Sequence, residues 1–301
     1  MRLSKSLIQA IFFGNFFYGI CAVFLSIEAC LQQSFPLNNL LYYLCLFTAT
    51  TVYYNKAYIT EAAADSSNIR SLWYARYHKR IIKIQAFLSS IIVFSAFFLA
   101  RGLWLNIWMM PILQWGVLLI FPMVAAMYYG MILPRYNLRN VGWIKPFVIG
   151  FVWAGSVNIY PILFQCIKNN QQFSLHLFGI LLFIKNMMFI TVLCIMFDIK
   201  DYATDHNQQL KTFVVRVGLR KTIFYIMLPL CMIGFGTFML FTVSHHFPGL
   251  WIILNAVPFV LLITVAYSMC RRKRILYYLA IIDGLMLVKA ICGIFAVLLI
   301  K

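Results

Sequence analysis

Charge is what this sequence has least of. Of its 301 residues 11% are charged and 63% are hydrophobic, where a soluble globular chain carries about 25% charged residues. A soluble domain of this size could not hide so much apolar surface from water. Acids are scarcer still: seven Asp and Glu stand against 25 Lys and Arg, for a net charge of +18. No CxxC pair occurs. Cys21, Cys30, Cys45, Cys166, Cys194, Cys231, Cys270 and Cys292 are scattered, mostly within apolar runs, which reads as small buried residues and argues against disulfides and zinc. Gly/Ser linkers, low-complexity tracts and loops of soluble-domain size are missing too, so residues 1–301 read as a single integral membrane domain.

What is present is long apolar runs. Nine are found, near residues 7–30, 38–59, 81–100, 106–133, 146–167, 174–197, 222–243, 249–269 and 276–300. Each is about 20 residues long without strict alternation, the pattern of spanning helices rather than barrel strands. In a bilayer the helix satisfies every backbone N–H and C=O within its own segment. The first run is too long for the apolar stretch of a signal peptide and is followed by no small-residue cleavage site, so it is read as a span. The expected fold is an all-α, polytopic bundle of about nine transmembrane helices.

The basic residues are placed asymmetrically. Twenty of the 25 lie at the N-terminus or in the even-numbered loops, among them Lys56, Arg70, Arg76, Lys79, Arg80, Arg135, Arg139, Lys145, Lys200, Lys211, Arg216, Arg220, Lys221 and the run Arg271 to Arg274. The odd loops and the C-terminus hold only Arg101, Lys168 and Lys301. This asymmetry puts the N-terminus and even loops in the cytoplasm and the C-terminus outside. It also makes membrane lipids, not nucleic acid, the partner of the positive charge.

Five of the seven acids fall in two cytoplasmic stretches, roughly 55–80 and 198–221. In the second, Asp198, Asp201 and Asp205 occur at i, i+3 and i+7. On a helix they share an arc of about 60°. Three carboxylates on one stripe repel one another, and a divalent cation relieves that repulsion. Mg²⁺ suits such oxygen ligands and completes its shell with water and phosphate. The cations that follow can bind the remaining phosphate charge. The bland alternative is a solvated helix end. In the first stretch, Glu61 and Asp65 share a face at i and i+4, followed by Arg70, Arg76, His78, Lys79 and Arg80. Surface charge after a span explains them equally well.

The stretch from Asp198 through Asp201, Asp205, Lys211 and Thr212 to Gly218 resembles the second aspartate-rich motif of the UbiA-type prenyltransferase superfamily, which has three Asp at this spacing, then Lys-Thr and Gly, after the sixth of nine helices. Leu133-Pro134-Arg135-Tyr136-Asn137-Leu138-Arg139 is similar to that family's basic loop after the fourth helix. The first motif departs from the family's Asn, Asp, Asp at steps of four. Anchored on Asp65, Glu61 takes the middle place, Ala57 stands where Asn is expected, and Asn55 is out of register.

The resemblance implies a bundle around a central cavity and transfer of a prenyl chain from a prenyl diphosphate to a lipophilic, commonly aromatic, acceptor. It implies Mg²⁺ held by Asp198, Asp201 and Asp205, with Glu61 and Asp65 serving a second ion. Lys211, then Arg70, Arg135 and Arg139, would contact the diphosphate. Two alternatives stay open. One is a relative of the same fold, its first motif altered, that binds an isoprenoid or lipid or acts as a partner protein. The other is a transporter, disfavoured because the acids cluster at one face rather than at mid-bilayer. The acceptor, the donor length and the oligomeric state are not set by these residues.

Lys185, Asp283 and Lys289 sit inside spans, where ionisable groups are costly. Lys185 is 13 residues before Asp198, about 20 Å along a helix and too deep for a diphosphate site. Asp283 is a candidate to pair with it across the bundle, against local snorkelling or a structural hydrogen bond. His245-His246 falls in an outer loop, where a metal site is the disfavoured reading; His78, among bases, is read as solvated, and the seven Trp as interfacial anchors.

Overall fold

A computed structural model describes residues 2–61, 69–131, 138–200, 202, 212–244, 247–269 and 275–299. Every regular element among them is helical. The helices are α1 (Arg2–Phe13), α2 (Phe16–Gln32), α3 (Leu40–Glu61), α4 (Ile69–Arg76), α5 (His78–Gly102), α6 (Trp104–Trp108), α7 (Ile112–Tyr128), α8 (Lys145–Lys168), α9 (Leu177–Lys200) and α10 (Phe213–Val217). Three more elements follow. Helix α11 (Leu228–Ser244) is entered through Leu219–Lys221 and a π turn at Thr222–Met227; α12 is Gly249–Ser268; α13 (Gly284–Leu298) is entered through Ile275–Tyr277 and a π turn at Tyr278–Ile282.

Among the described residues six helical rods are long and apolar enough to cross a membrane, and a seventh joins them if α1 and α2 count as one bent span. The chain is therefore an integral, multi-pass membrane protein. Two of the nine runs expected from sequence fall outside that set. Helix α7 has 17 residues, at the short end of the spanning range. Helix α3 has 22 residues but carries Tyr42, Tyr43, Thr48, Thr50, Thr51 and Asn55. Its threonines return their hydroxyls to the helix's own carbonyls, as Thr48 does to Leu44 O at 2.7 Å and Thr51 to Phe47 O at 2.8 Å. That back-bonding is how hydroxyl side chains are carried in an apolar medium.

The chain forms two compact units. The first comprises residues 1–24 and 38–109, the second 25–37 and 110–301. In the first, α3 packs on α5 and α4. In the second, α9 packs on α8 and α11, α8 on α7, and α12 on α11 and α13. Helix α8 runs Lys145–Ala154, a π turn at Gly155–Ile159, then Tyr160–Lys168. The π turn lies just before Tyr160-Pro161, and the proline can neither donate a backbone hydrogen bond nor fit against an undisturbed preceding turn.

Helices α8 and α9 are consecutive, antiparallel and in close contact, and Gly150 permits it. A Cβ there would collide with the Thr191 hydroxyl and lie 2.8 Å from Met187 O. The Met187 carbonyl belongs to the α9 backbone and cannot rotate away. Gly150→Ala is therefore expected to destabilise the protein by about 1–3 kcal/mol, measurable as a lower melting temperature in detergent. An unchanged melting temperature would mean that α8 and α9 do not approach as described.

Candidate functional site

The antiparallel run of α8 and α9 brings the first residue of α8, Lys145, beside the carboxylate near the end of α9, Asp198. Lys145 Nζ lies 2.8 Å from Asp198 Oδ1. Asp198 is 1% exposed, while the Lys145 side chain keeps 25% of its surface. A carboxylate so far from water stays charged only beside a cation, and Lys145 supplies it. Tyr128, at the end of α7, lies within electrostatic reach of Lys145, Arg139, Asp198 and Cys194. Arg139 sits in the short 3₁₀ turn Leu138–Asn140, its guanidinium 6.0 Å from the Tyr129 ring centre. Downstream, buried Thr212 caps α10 by accepting from Val215 N at 3.4 Å. That helix ends at Gly218, where φ is +86°, a conformation that favours glycine.

Of the residues singled out from sequence, Asp198 and Arg139 are thus placed at one end of the second unit, with Lys145 added. Glu61 is the last residue of α3; its side chain, and Asp65, Arg135, Asp201, Asp205, Lys211, His245 and His246, lie outside the described residues.

Arg70 is described, and its hydrogen bonds go to the protein. It belongs to the first unit and is 4% exposed. Its Nη2 donates to Phe13 O at 3.1 Å, to Phe12 O at 3.4 Å and to Asn15 Oδ1 in a short contact. Its Nη1 donates to the Tyr58 hydroxyl at 3.1 Å, and its Cζ stands 4.0 Å over the Tyr58 ring. The chain turns by 64° between α1 and α2, at Asn15, whose φ is +60°. The break leaves the last carbonyls of α1 without helical partners, and Arg70 takes two of them. Asn15 Nδ2 in turn donates to Asn55 Oδ1 at 2.9 Å. The Tyr74 hydroxyl lies 2.7 Å from that same oxygen and 2.8 Å from Phe13 O. Burial pushes the Tyr74 phenol well above its ordinary pKa, so it remains a donor. Asn55, out of register for a metal motif, has its place in this clamp.

The ionisable residues within spans form a second cluster, in the second unit. Lys289 donates to both carboxylate oxygens of Glu28, at 2.9 and 2.7 Å, and the two side chains are 3% and 1% exposed. Gly293, one turn from Lys289, leaves the room for Glu28: a Cβ there would collide with the carboxylate. Lys185 donates to Asn255 Oδ1 at 3.3 Å, and its charged neighbours are Lys289 and Glu28. Asp283 is instead a charged neighbour of Cys194. Among the described residues the ion pair within the spans therefore joins Glu28 to Lys289, and Lys185 faces that pair and Asn255 rather than Asp283. Glu28 and Lys289 are opposite charges in the first and last apolar runs, and that was the signal in the sequence for pairing them.

Among solved structures, the chain is similar to one described as giving structural and mechanistic insights into digeranylgeranylglyceryl phosphate synthase in membranes. The two superpose with a TM-score of 0.57 over 97% of this chain and 99% of that one, at 15% identity. The chain has the UbiA-type prenyltransferase fold. No family model and no curated protein matches the sequence. Within the UbiA-type fold, the Lys145–Asp198 pair opens the stretch that resembles the family's second aspartate-rich motif.

Two substitutions separate support from chemistry. Arg70→Met is expected to cost about 1.5–3 kcal/mol per charge-assisted hydrogen bond left unmade, read as a lower melting temperature with no ligand present; an unchanged value would mean that Arg70 does not hold the α1–α2 break. Lys289→Met should cost about 3–5 kcal/mol by leaving Glu28 buried without its cation. The double variant Glu28→Gln/Lys289→Met should recover much of that loss. No recovery would mean that the pair is not the unit of stability.

Proposed function

We propose that this protein is a prenyltransferase that moves a prenyl chain from a prenyl diphosphate to a lipophilic acceptor within the membrane. The observation that carries this reading is the buried Asp198 carboxylate held by Lys145 at the end of α9, in a chain with the UbiA-type fold.

The donor set fits Mg²⁺: Asp198, Asp201 and Asp205 offer hard carboxylate oxygens at the spacing of one helix face. Glu61 and Asp65 would hold a second ion. When bound, Mg²⁺ supplies positive charge against the oxygens of the departing diphosphate. The chain's own residues do the rest. Lys145 holds the Asp198 carboxylate charged and in place, and its partly exposed ammonium adds positive charge beside it. Lys211, Arg135 and Arg139 add positive charge to the phosphate end, where negative charge grows as the allylic C–O bond breaks. Arg70, with its hydrogen bonds to the α1–α2 break, acts by holding the first unit in shape. The prenyl tail needs an apolar slot, and its burial contributes about 0.8 kcal/mol per CH₂. The acceptor's oxygen or carbon forms the new bond to the allylic carbon as the allylic C–O bond breaks; the diphosphate leaves, and the proton displaced from the acceptor passes to the diphosphate or to water.

One feature favours a second reading. Glu61 and Ala57 stand where the family's first motif has Asp and Asn, so a relative that binds a prenyl diphosphate or lipid without turning it over is the alternative.

Thermal unfolding of the purified protein with a panel of prenyl diphosphates, each with Mg²⁺ or EDTA, tests the site. A ligand at 100-fold above its dissociation constant should stabilise the folded state by about 2.7 kcal/mol, with Mg²⁺ only, and the gain should vanish in Asp198→Ala. No shift with any diphosphate, in protein shown to be folded, would refute the assignment.

A further inference from the structure

Helix α5 meets α3 through one face. Ile81, Leu88 and Ser95 recur there every seven residues and are buried, and Gln85 Nε2 donates to Val52 O at 2.9 Å. Another face is open. At about 100° per residue, Arg80, Lys83, Ile84, Phe87 and Phe94 share an arc of about 100°, and all five are exposed. The stripe changes character along its length: two cations at its head, then apolar side chains. From Lys83 to Phe94 the helix rises about 17 Å, close to one leaflet, half of a hydrocarbon core about 30 Å thick. The head gathers further charge. Helix α4 ends at Arg76 and α5 begins at His78, with Tyr77 alone between them. The Arg76 and Arg80 guanidinium carbons lie 5.8 and 5.9 Å from the centre of the same Tyr77 ring. Lys79 and Lys83 are one turn apart on α5. All four cations are exposed, and among the described residues none is paired with an acid. Like charges four residues apart on a helix repel, so an anion set among them stabilises the cluster.

We propose that this stripe is the seat of an anionic phospholipid. Its phosphate is held among Arg76, Arg80 and Lys83, and an acyl chain lies along Ile84, Phe87 and Phe94. The position suits the ligand. Helix α5 is long and apolar enough to cross the membrane, so its basic head stands at headgroup depth. There the Arg and Lys stems lie along apolar surface while their charges reach the phosphates. A choline lipid would bring its own cation into a cluster of cations. A second copy of this chain, related by a twofold axis along the membrane normal, would set the same bases face to face at the same depth. None of these residues belongs to the set assigned to the diphosphate, and the site does not depend on that assignment.

The test uses the full chain, without Mg²⁺ or diphosphate, in phosphatidylcholine nanodiscs that carry a minor fraction of phosphatidylglycerol with the same acyl chains. Native mass spectrometry reads the lipids that stay on the protein. Phosphatidylglycerol should be retained above its share of the bilayer. A base beside an anionic surface contributes about 1 kcal/mol, so Arg80→Gln and Lys83→Gln should each weaken that retention about fivefold. The Arg76→Gln/Arg80→Gln/Lys83→Gln protein should lose the preference. These side chains are exposed, so its melting temperature in pure phosphatidylcholine should not fall; if it fails to fold, the single variants carry the test. The Arg216→Gln/Arg220→Gln/Lys221→Gln protein, whose exposed bases lie in the second unit, should keep the preference. Inorganic phosphate in excess should not displace the lipid. Retention at the bulk lipid ratio, retention unchanged in the α5 variants, loss in the second-unit variant instead, or displacement by inorganic phosphate would each overturn the proposal.

Discussion

A charge inside an apolar medium must meet its partner at contact distance, and that constraint organises this protein. The isolated ion would cost several kcal/mol even after relaxation. Among the described residues, three buried charges show how the need is met. Glu28 takes Lys289 across the second unit, Asp198 takes Lys145 at the ends of α9 and α8, and Arg70 is met by carbonyls at a helix break. The packing follows from these meetings: Gly293 opens room for a carboxylate and Gly150 lets α8 close on α9.

The same constraint assigns different work to each cluster. Glu28 and Lys289 are almost wholly buried and satisfy each other twice over, which suits a fastening. Lys145 is a quarter exposed, so its ammonium borders solvent while it neutralises the buried Asp198 carboxylate. The function proposed for this end of the unit would draw on that carboxylate and its partly exposed cation. Arg70 has the opposite character: a planar fork with acceptors on both arms and an aromatic face beneath it.

Much of this was legible in the sequence. The scarcity of charge and the run lengths required a helical membrane bundle, and the triplet Asp198, Asp201 and Asp205 led to the fold that the structural likeness supports. What stayed hidden was pairing. Composition places Lys145 in a basic loop but cannot say that α8 and α9 run antiparallel in close contact, which is what brings it to Asp198. Arg70 reads as one base among several after α3, because its partners at Phe12, Phe13 and Asn15 lie more than 50 residues away. The Gly14-Asn15 break within the first apolar run was a visible cue to that clamp. The sequence offered Asp283 only as a candidate partner for Lys185, and could not choose, because depth along a span says nothing about which face a residue occupies.

The central claim is that the Asp198 end of the second unit activates a prenyl diphosphate. Release of inorganic diphosphate from the protein in nanodiscs, loaded with a prenyl diphosphate that it is shown to bind, tests it most directly. The account expects Mg²⁺-dependent release that is lost in Asp198→Asn while the fold is retained. Bound donor that stays intact with Mg²⁺ present and a panel of lipophilic acceptors supplied, or release at the same rate from the Asp198→Asn protein, would contradict it.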